Sequence, residues 1–167
     1  MTIVDALDTL WIMDMKDEFQ LGRDWVAESL NFDKNINISF FETVIRELGG
    51  LLSAYEFSKD KVFLDKAEIL AEKLLKAFNT PYGIPYASVN LMSGNGASPG
   101  WTGGSSILSE IGTVQLEFLY LAYHTNNPKY AIAVPSPSFL LLSFSFPSSL
   151  FLSSCSFPSS FLSPIPF

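Results

Sequence analysis

The chain has 167 residues, with 17 acidic side chains against 10 basic ones and a net charge of -7. An acidic balance without a basic patch argues against a nucleic-acid partner, which needs Lys and Arg to displace counterions from phosphates. Cys155 and His124 are each the only residue of their kind, which excludes an internal disulfide and a zinc site rich in Cys or His.

Residues 2–15 read as a helix, with Val4, Leu7, Leu10, Trp11 and Met13 on one broad apolar face. Two aspartates and no basic cluster at its start exclude a signal peptide. Residues 17–30 continue helically around Phe19, Trp25 and Val26, and residues 31–38 form a polar connection. The strongest helical pattern spans residues 39–55. Ser39 stands at its cap, Glu42 three positions on as in a capping box, and Phe41, Val44, Ile45, Leu48, Leu51, Leu52 and Tyr55 repeat at helical spacing. Gly49 and Gly50 in its middle each cost about 1 kcal/mol, so the pair predicts close approach of another backbone.

Residues 60–78 form a fourth helix carrying Val62, Phe63, Ala67, Leu70, Leu74 and Phe78. The short joint before it makes these two an antiparallel hairpin. Residues 79–104 are rich in Gly, Pro, Asn and Ser, with a short strand expected over 86–91; so long a loop in a compact domain is usually functional. Ser105 or Ser106 caps a fifth helix running to His124, apolar on nearly every side and therefore expected to be buried.

The language changes after Val134. Of the 33 residues from 135 to 167, 31 are Phe, Ser, Leu or Pro, the exceptions being Cys155 and Ile165. Those four residue types share codons built only of pyrimidines, as a translated intron would supply. The expected organisation is one all-α domain over residues 1–134 and a disordered low-complexity tail over 135–167. A membrane span over 139–157 is disfavoured by Pro147, the many serines and the lack of flanking Lys or Arg.

Carboxylates are the candidate chemistry. Glu110, Thr113 and Glu117 make one polar stripe on the fifth helix, either lining a polar pit or facing solvent. Glu42 and Arg46 stand at i, i+4, either a surface ion pair or a catalytic pair. Asp5 and Asp8 are candidates for dipole partners of the first helix. Three helices bringing acids to apolar surroundings suit glycoside hydrolysis, where one carboxyl group protonates the leaving oxygen and another activates water. Tyr82, Tyr86 and Trp101 in the long loop offer flat faces to sugar C–H surfaces, or else pack the loop.

Four blocks carry a resemblance. They are Thr2-Ile-Val-Asp-Ala-Leu-Asp-Thr-Leu-Trp-Ile-Met, Phe41-Glu-Thr-Val-Ile-Arg-Glu-Leu-Gly-Gly, Phe78-Asn-Thr-Pro-Tyr-Gly-Ile-Pro, and Gly104-Ser-Ser-Ile-Leu-Ser-Glu with Gln115-Leu-Glu-Phe. In this order they resemble class I α-1,2-mannosidases, glycoside hydrolase family 47, most of all the endoplasmic-reticulum type. The resemblance implies part of an (α/α)7 barrel and inverting, Ca2+-dependent hydrolysis of terminal α-1,2-mannose from high-mannose N-glycans. By the same resemblance Glu42 is the catalytic acid, and Arg46, Glu110, Glu117, Asp5 and Trp101 contact substrate. The calcium ligand, the second catalytic aspartate and the base of the family lie beyond the matched blocks, so this chain is expected to be inactive alone. The family implies residence in the endoplasmic reticulum or Golgi lumen, with a membrane anchor in the full-length protein. Two alternatives remain: a non-catalytic glycoprotein-binding or quality-control module, and a helical-repeat scaffold, the latter disfavoured by the lack of a fixed repeat period.

Overall fold

The computed structural model of the chain describes residues 2–134; the tail expected over 135–167 lies outside the described residues. Helix α1 (Thr2–Ile12) buries Val4 and Leu7, and α2 (Lys16–Glu28) buries Phe19, Gly22 and Val26. The two helices close at Gly22, where an added Cβ would lie 2.8 Å from Leu7 Cδ2.

The strongest helical pattern is realised as one helical run with a widened turn. After the short strand β1 (Asn37–Ser39) come α3 (Phe40–Thr43), a π-helical turn (Val44–Leu48) and α4 (Gly49–Ser58). The Gly49 N–H donates to the Val44 carbonyl five residues back, which closes the wide turn. Ser39 caps the run by accepting from the Glu42 N–H at 3.4 Å. Only half of the expected capping box forms, because the Glu42 carboxylate turns to Arg46 instead. The expected backbone approach at the glycine pair is present: a Cβ on Gly50 would stand 2.9 Å from the Val4 carbonyl oxygen.

Lys59, in the left-handed region at φ 56°, ends α4, and Asp60 caps α5 (Lys61–Leu74) by accepting from the Val62 N–H. A 3-10 turn (Leu75–Phe78) extends α5. The core fills the space between these helices with fully buried Leu51, Phe63, Leu70, Leu74, Phe118 and Leu121. Phe40, Phe78 and Phe118 meet with ring centroids 5.3–6.4 Å apart, and such pairs add to plain area burial.

A small sheet interrupts the helical order. Strand β2 (Ser88–Asn90) falls inside the strand expected over 86–91; it pairs antiparallel with β1, Asn37 opposite Asn90 and Ser39 opposite Ser88. Strand β3 (Gly96–Ala97) pairs with the other edge of β2. Neither β1 nor β3 was legible in the sequence, so the all-α reading describes the packed core and misses this sheet.

The fifth helix differs most from expectation. It is split into α6 (Leu108–Ile111) and α7 (Gln115–Thr125) by a turn at residues 112–114. Neither serine caps it: Ile107 holds the cap position, and the Ser106 hydroxyl donates to the Pro85 carbonyl. Nor is it buried on most sides. Phe118 and Leu121 face the core, whereas Leu116 is 74% exposed, because α7 packs against neighbours on one side only. A further helix, α8 (Lys129–Ala133), buries Tyr130, whose hydroxyl donates to Glu72 at 2.8 Å. Lys129 also pairs with Glu72 and holds that carboxyl group below its usual range. Among the described residues no helix is long and apolar enough to cross a membrane.

Candidate active site

The π turn aims three charged groups at one another. Arg46, inside it, donates from Nε to Glu42 Oε2 at 2.5 Å, and its Nη1 lies 3.6 Å from Asp5 Oδ2 on α1. The hydrogen bond that Arg46 donates to Glu42, more than the charge of Asp5, holds the guanidinium above its ordinary value. All three side chains are close to half exposed, so the pairs add little to stability. What they fix is position: the arginine holds a helix-borne carboxylate and one from α1 in a single constellation.

Beside this constellation a cleft of about 420 Å³ runs between α1, α4 and α7. Asp5, Asp8, Gly49, Gly50, Ser53 and Glu117 are among its lining residues. Asp8 accepts from the Ser53 hydroxyl at 3.1 Å. Glu117 is different. Its Oε2 is buried and has no hydrogen-bond partner among the described residues, and burial pushes its pKa up. Removing a carboxylate from water without a partner favours the protonated form, so the cleft keeps an acid that holds its proton at higher pH than usual. On the same wall the Tyr120 hydroxyl donates to Glu56, which Lys59 holds below its usual range from 2.7 Å.

A second cleft, of about 340 Å³, lies along the small sheet. Asn37, Ser39, Ser88, Trp101 and Glu110 contribute to it. Trp101 sits on a 3-10 turn (Gly100–Thr102) that is followed by two glycines at positive φ, Gly103 and Gly104, and it is 80% exposed. An indole lying open beside a carboxylate, hydroxyls and amides suits a ligand with an apolar face and many hydroxyl groups.

The expected site residues therefore divide. Glu42, Arg46 and Asp5 come together as one group, with Glu117 and Asp5 lining the same cleft. Glu110 and Trp101 belong to the cleft along the sheet. The single polar stripe of Glu110, Thr113 and Glu117 does not exist, because the turn between α6 and α7 breaks the helical phase. The aromatic trio of the long loop divides too: Tyr82 is 87% exposed and lines neither cleft, and Tyr86 packs under Gly96. Sequence reasoning missed Asn37, Ser88 and Tyr120, and only strand pairing or helix phase in space could have placed them. Among the described residues no group of three or more His, Cys, Asp or Glu is arranged to hold a metal ion.

Comparison with known proteins gives a consistent answer. The sequence matches glycosyl hydrolase family 47 over residues 1–141. It is 56% identical over 130 residues to mannosyl-oligosaccharide 1,2-alpha-mannosidase MNS1 of Arabidopsis thaliana, covering 77% of this chain and 23% of that protein. It is 55% identical over 130 residues to mannosyl-oligosaccharide 1,2-alpha-mannosidase IB of Mus musculus, covering 77% of this chain and 20% of that protein. It is 48% identical over 134 residues to the endoplasmic reticulum mannosyl-oligosaccharide 1,2-alpha-mannosidase of Rattus norvegicus, covering 80% and 20%. Among solved structures, alpha-1,2-mannosidase from Trichoderma reesei superposes with a TM-score of 0.69 at 33% identity, over 78% of this chain and 30% of that one. The chain thus spans about a fifth of the length of the curated relatives it matches.

Proposed function

The chain belongs to glycosyl hydrolase family 47, with the fold of part of an (α/α)7 barrel, and from that premise we propose that it carries the acid-bearing part of an α-1,2-mannosidase. The substrate is the terminal α-1,2-linked mannose of high-mannose N-glycans on glycoproteins, and the setting is the lumen of the endoplasmic reticulum or Golgi, with a membrane anchor in the full-length protein. The observation that carries the reading is the constellation of Glu42, Arg46 and Asp5, set beside a cleft that holds a raised-pKa carboxyl group.

In this reading Glu42 delivers the proton to the leaving oxygen, directly or through one water. Arg46 holds that carboxyl group in place and faces the developing charge. Trp101 and Glu110 bind sugars beyond the bond that breaks. An inverting reaction needs a second carboxyl group roughly 6.5–9.5 Å from the first with a water between them. Asp5 shares an arginine with Glu42, which suits it to positioning more than to activating that water. The base is therefore assigned outside the described residues, and the 167-residue chain assayed alone is expected to release no mannose. Calcium dependence belongs to the same family reading; no catalytic step is assigned to the ion, since the described residues offer it no ligand cluster.

The test is a hybrid in which residues 2–134 replace the matching stretch of a related α-1,2-mannosidase. Mannose release is expected to survive the exchange and to fall roughly 10²–10⁴-fold with Glu42→Gln, the usual contribution of a general acid. A hybrid whose turnover ignores that substitution would sink the assignment. The exposure of Trp101 favours one second reading, a non-catalytic glycan-binding module. It requires the chain alone to bind a high-mannose glycan and to lose binding with Trp101→Ala.

A further inference from the structure

Strand β1 carries an acceptor motif for a covalent modification. Asn37-Ile38-Ser39 is an Asn-x-Ser acceptor sequence with x other than Pro. No other Asn in the 167 residues has Ser or Thr two positions on. Both of its polar residues are exposed.

We propose that Asn37 is an N-glycan attachment site, an inference that rests on the lumenal setting proposed above. The structure accommodates the product without losing a contact. Asn37 Oδ1 accepts from Asn90 Nδ2 at 2.9 Å, while Asn37 Nδ2, the atom that would carry the sugar, makes no hydrogen bond to the described residues. Strand β1 pairs with β2 along one edge, and no described strand takes the other. A substituted amide nitrogen therefore keeps its oxygen in the Asn35–Asn37–Asn90 amide cluster and leaves the ladder between Asn37 and Asn90 in register.

The order of synthesis supplies the opportunity. The strand that pairs with Asn37 is centred on residues 88–90, about fifty residues later in the chain, so the acceptor enters the lumen before its partner strand does. In the folded chain the Ser39 hydroxyl caps α3; before α3 forms it is free for recognition. The transfer itself balances simply. Asn37 Nδ2 attacks C1 of a lipid-diphosphate-linked oligosaccharide, the N–C1 bond forms as the C1–O bond breaks, the lipid diphosphate leaves with the electron pair, and the amide proton passes to the transferase's base. Asn37 also lines the cleft that holds Trp101 and Glu110. An attached glycan would therefore stand at the lip of that cleft.

The test is translation of the full chain into rough microsomes behind an appended cleavable signal, with one extra acceptor sequence appended at the C-terminus. Two endoglycosidase-sensitive mobility steps are expected. Asn37→Gln and Ser39→Ala should each leave one step, and Ser39→Thr should keep two, since threonine preserves the acceptor. The proposal is overturned if only the appended acceptor is modified in the parent chain. Because the signal imposes lumenal entry, that result would fall on Asn37 alone. The lumenal reading fails separately, if the protein in its own cells fractionates away from the secretory membranes.

Discussion

The cleft between α1, α4 and α7 takes its side chains from packed helices, whereas the cleft along the sheet takes them mostly from strands of two or three residues, a 3-10 turn and loops, with Glu110 added from the four-residue α6. In the first, the backbones are so close that the Gly50 position has no room for a methyl group against Val4, and beside it Asp5, Glu42 and Arg46 satisfy one another. In the second, the principal aromatic group stands open to water and the loop turns on glycines at positive φ. Helical walls can hold acid groups to within the small tolerances that proton transfer needs, while a loop-built wall suits recognition of a bulky, variable ligand.

Four substitutions would break or sharpen that contrast. Gly50→Ala should have the largest effect, lowering stability by about 1–3 kcal/mol through overpacking against Val4, enough to outweigh the roughly 1 kcal/mol that alanine gains over glycine in a helix. Denaturant unfolding measures it, and an unshifted midpoint would show that the helical wall yields. Gly96→Ala places a methyl group into the Tyr86 ring; it should cost roughly 1 kcal/mol globally, since loop segments open locally. Hydrogen exchange should nevertheless show clear loss of protection along β2 and β3.

Glu117→Gln tests the electrostatics of the helical cleft. The carboxyl pKa is raised in the folded chain, so the native state binds more protons than the unfolded state as pH rises past the ordinary carboxyl range, and stability falls across that interval. The Gln variant should lack that decline, gaining on the parent at neutral pH and not at acid pH. Parallel profiles for the two chains would show that Glu117 is better solvated than its burial implies. Trp101→Ala should have the smallest effect on folding, within about 0.5 kcal/mol, and on the glycan-binding reading it should abolish binding by the chain. A large loss of stability there would make Trp101 a packing residue.

The same contrast explains what the sequence could reveal. Helices α1, α2, α4 and α5 follow from apolar spacing, which is local, and Ser39 announced its cap by residue type, whereas the cap at Asp60 emerged only in the structure. The backbone approach at Gly50 was legible because two glycines inside a strong helical pattern are costly without a reason. The sheet was mostly illegible: Asn37 and Asn90 meet across fifty residues, and no local pattern of a three-residue strand encodes its partner. Glu110 and Glu117 were read as one stripe because spacing presumes unbroken helical phase, and Gly112 was the one residue arguing otherwise. The exposure of Leu116 was unreadable for another reason. Hydrophobicity says what a side chain prefers, and only packing says which faces of a helix are covered.

The wide turn at Val44–Leu48 has one more consequence. A residue added to or removed from a regular helix rotates everything beyond it by about 100°. A π turn is one such added residue, absorbed in place. Here it lets the half bearing Glu42 keep its alignment with β1 while the half bearing Gly50 keeps its own with α1. Deleting a single residue from that turn would leave a smoother helix, yet it would swing Glu42 and Gly50 out of phase. The irregularity is thus a fixed angular offset between the acid and the helical wall, one that single-residue insertions and deletions should not be able to cross.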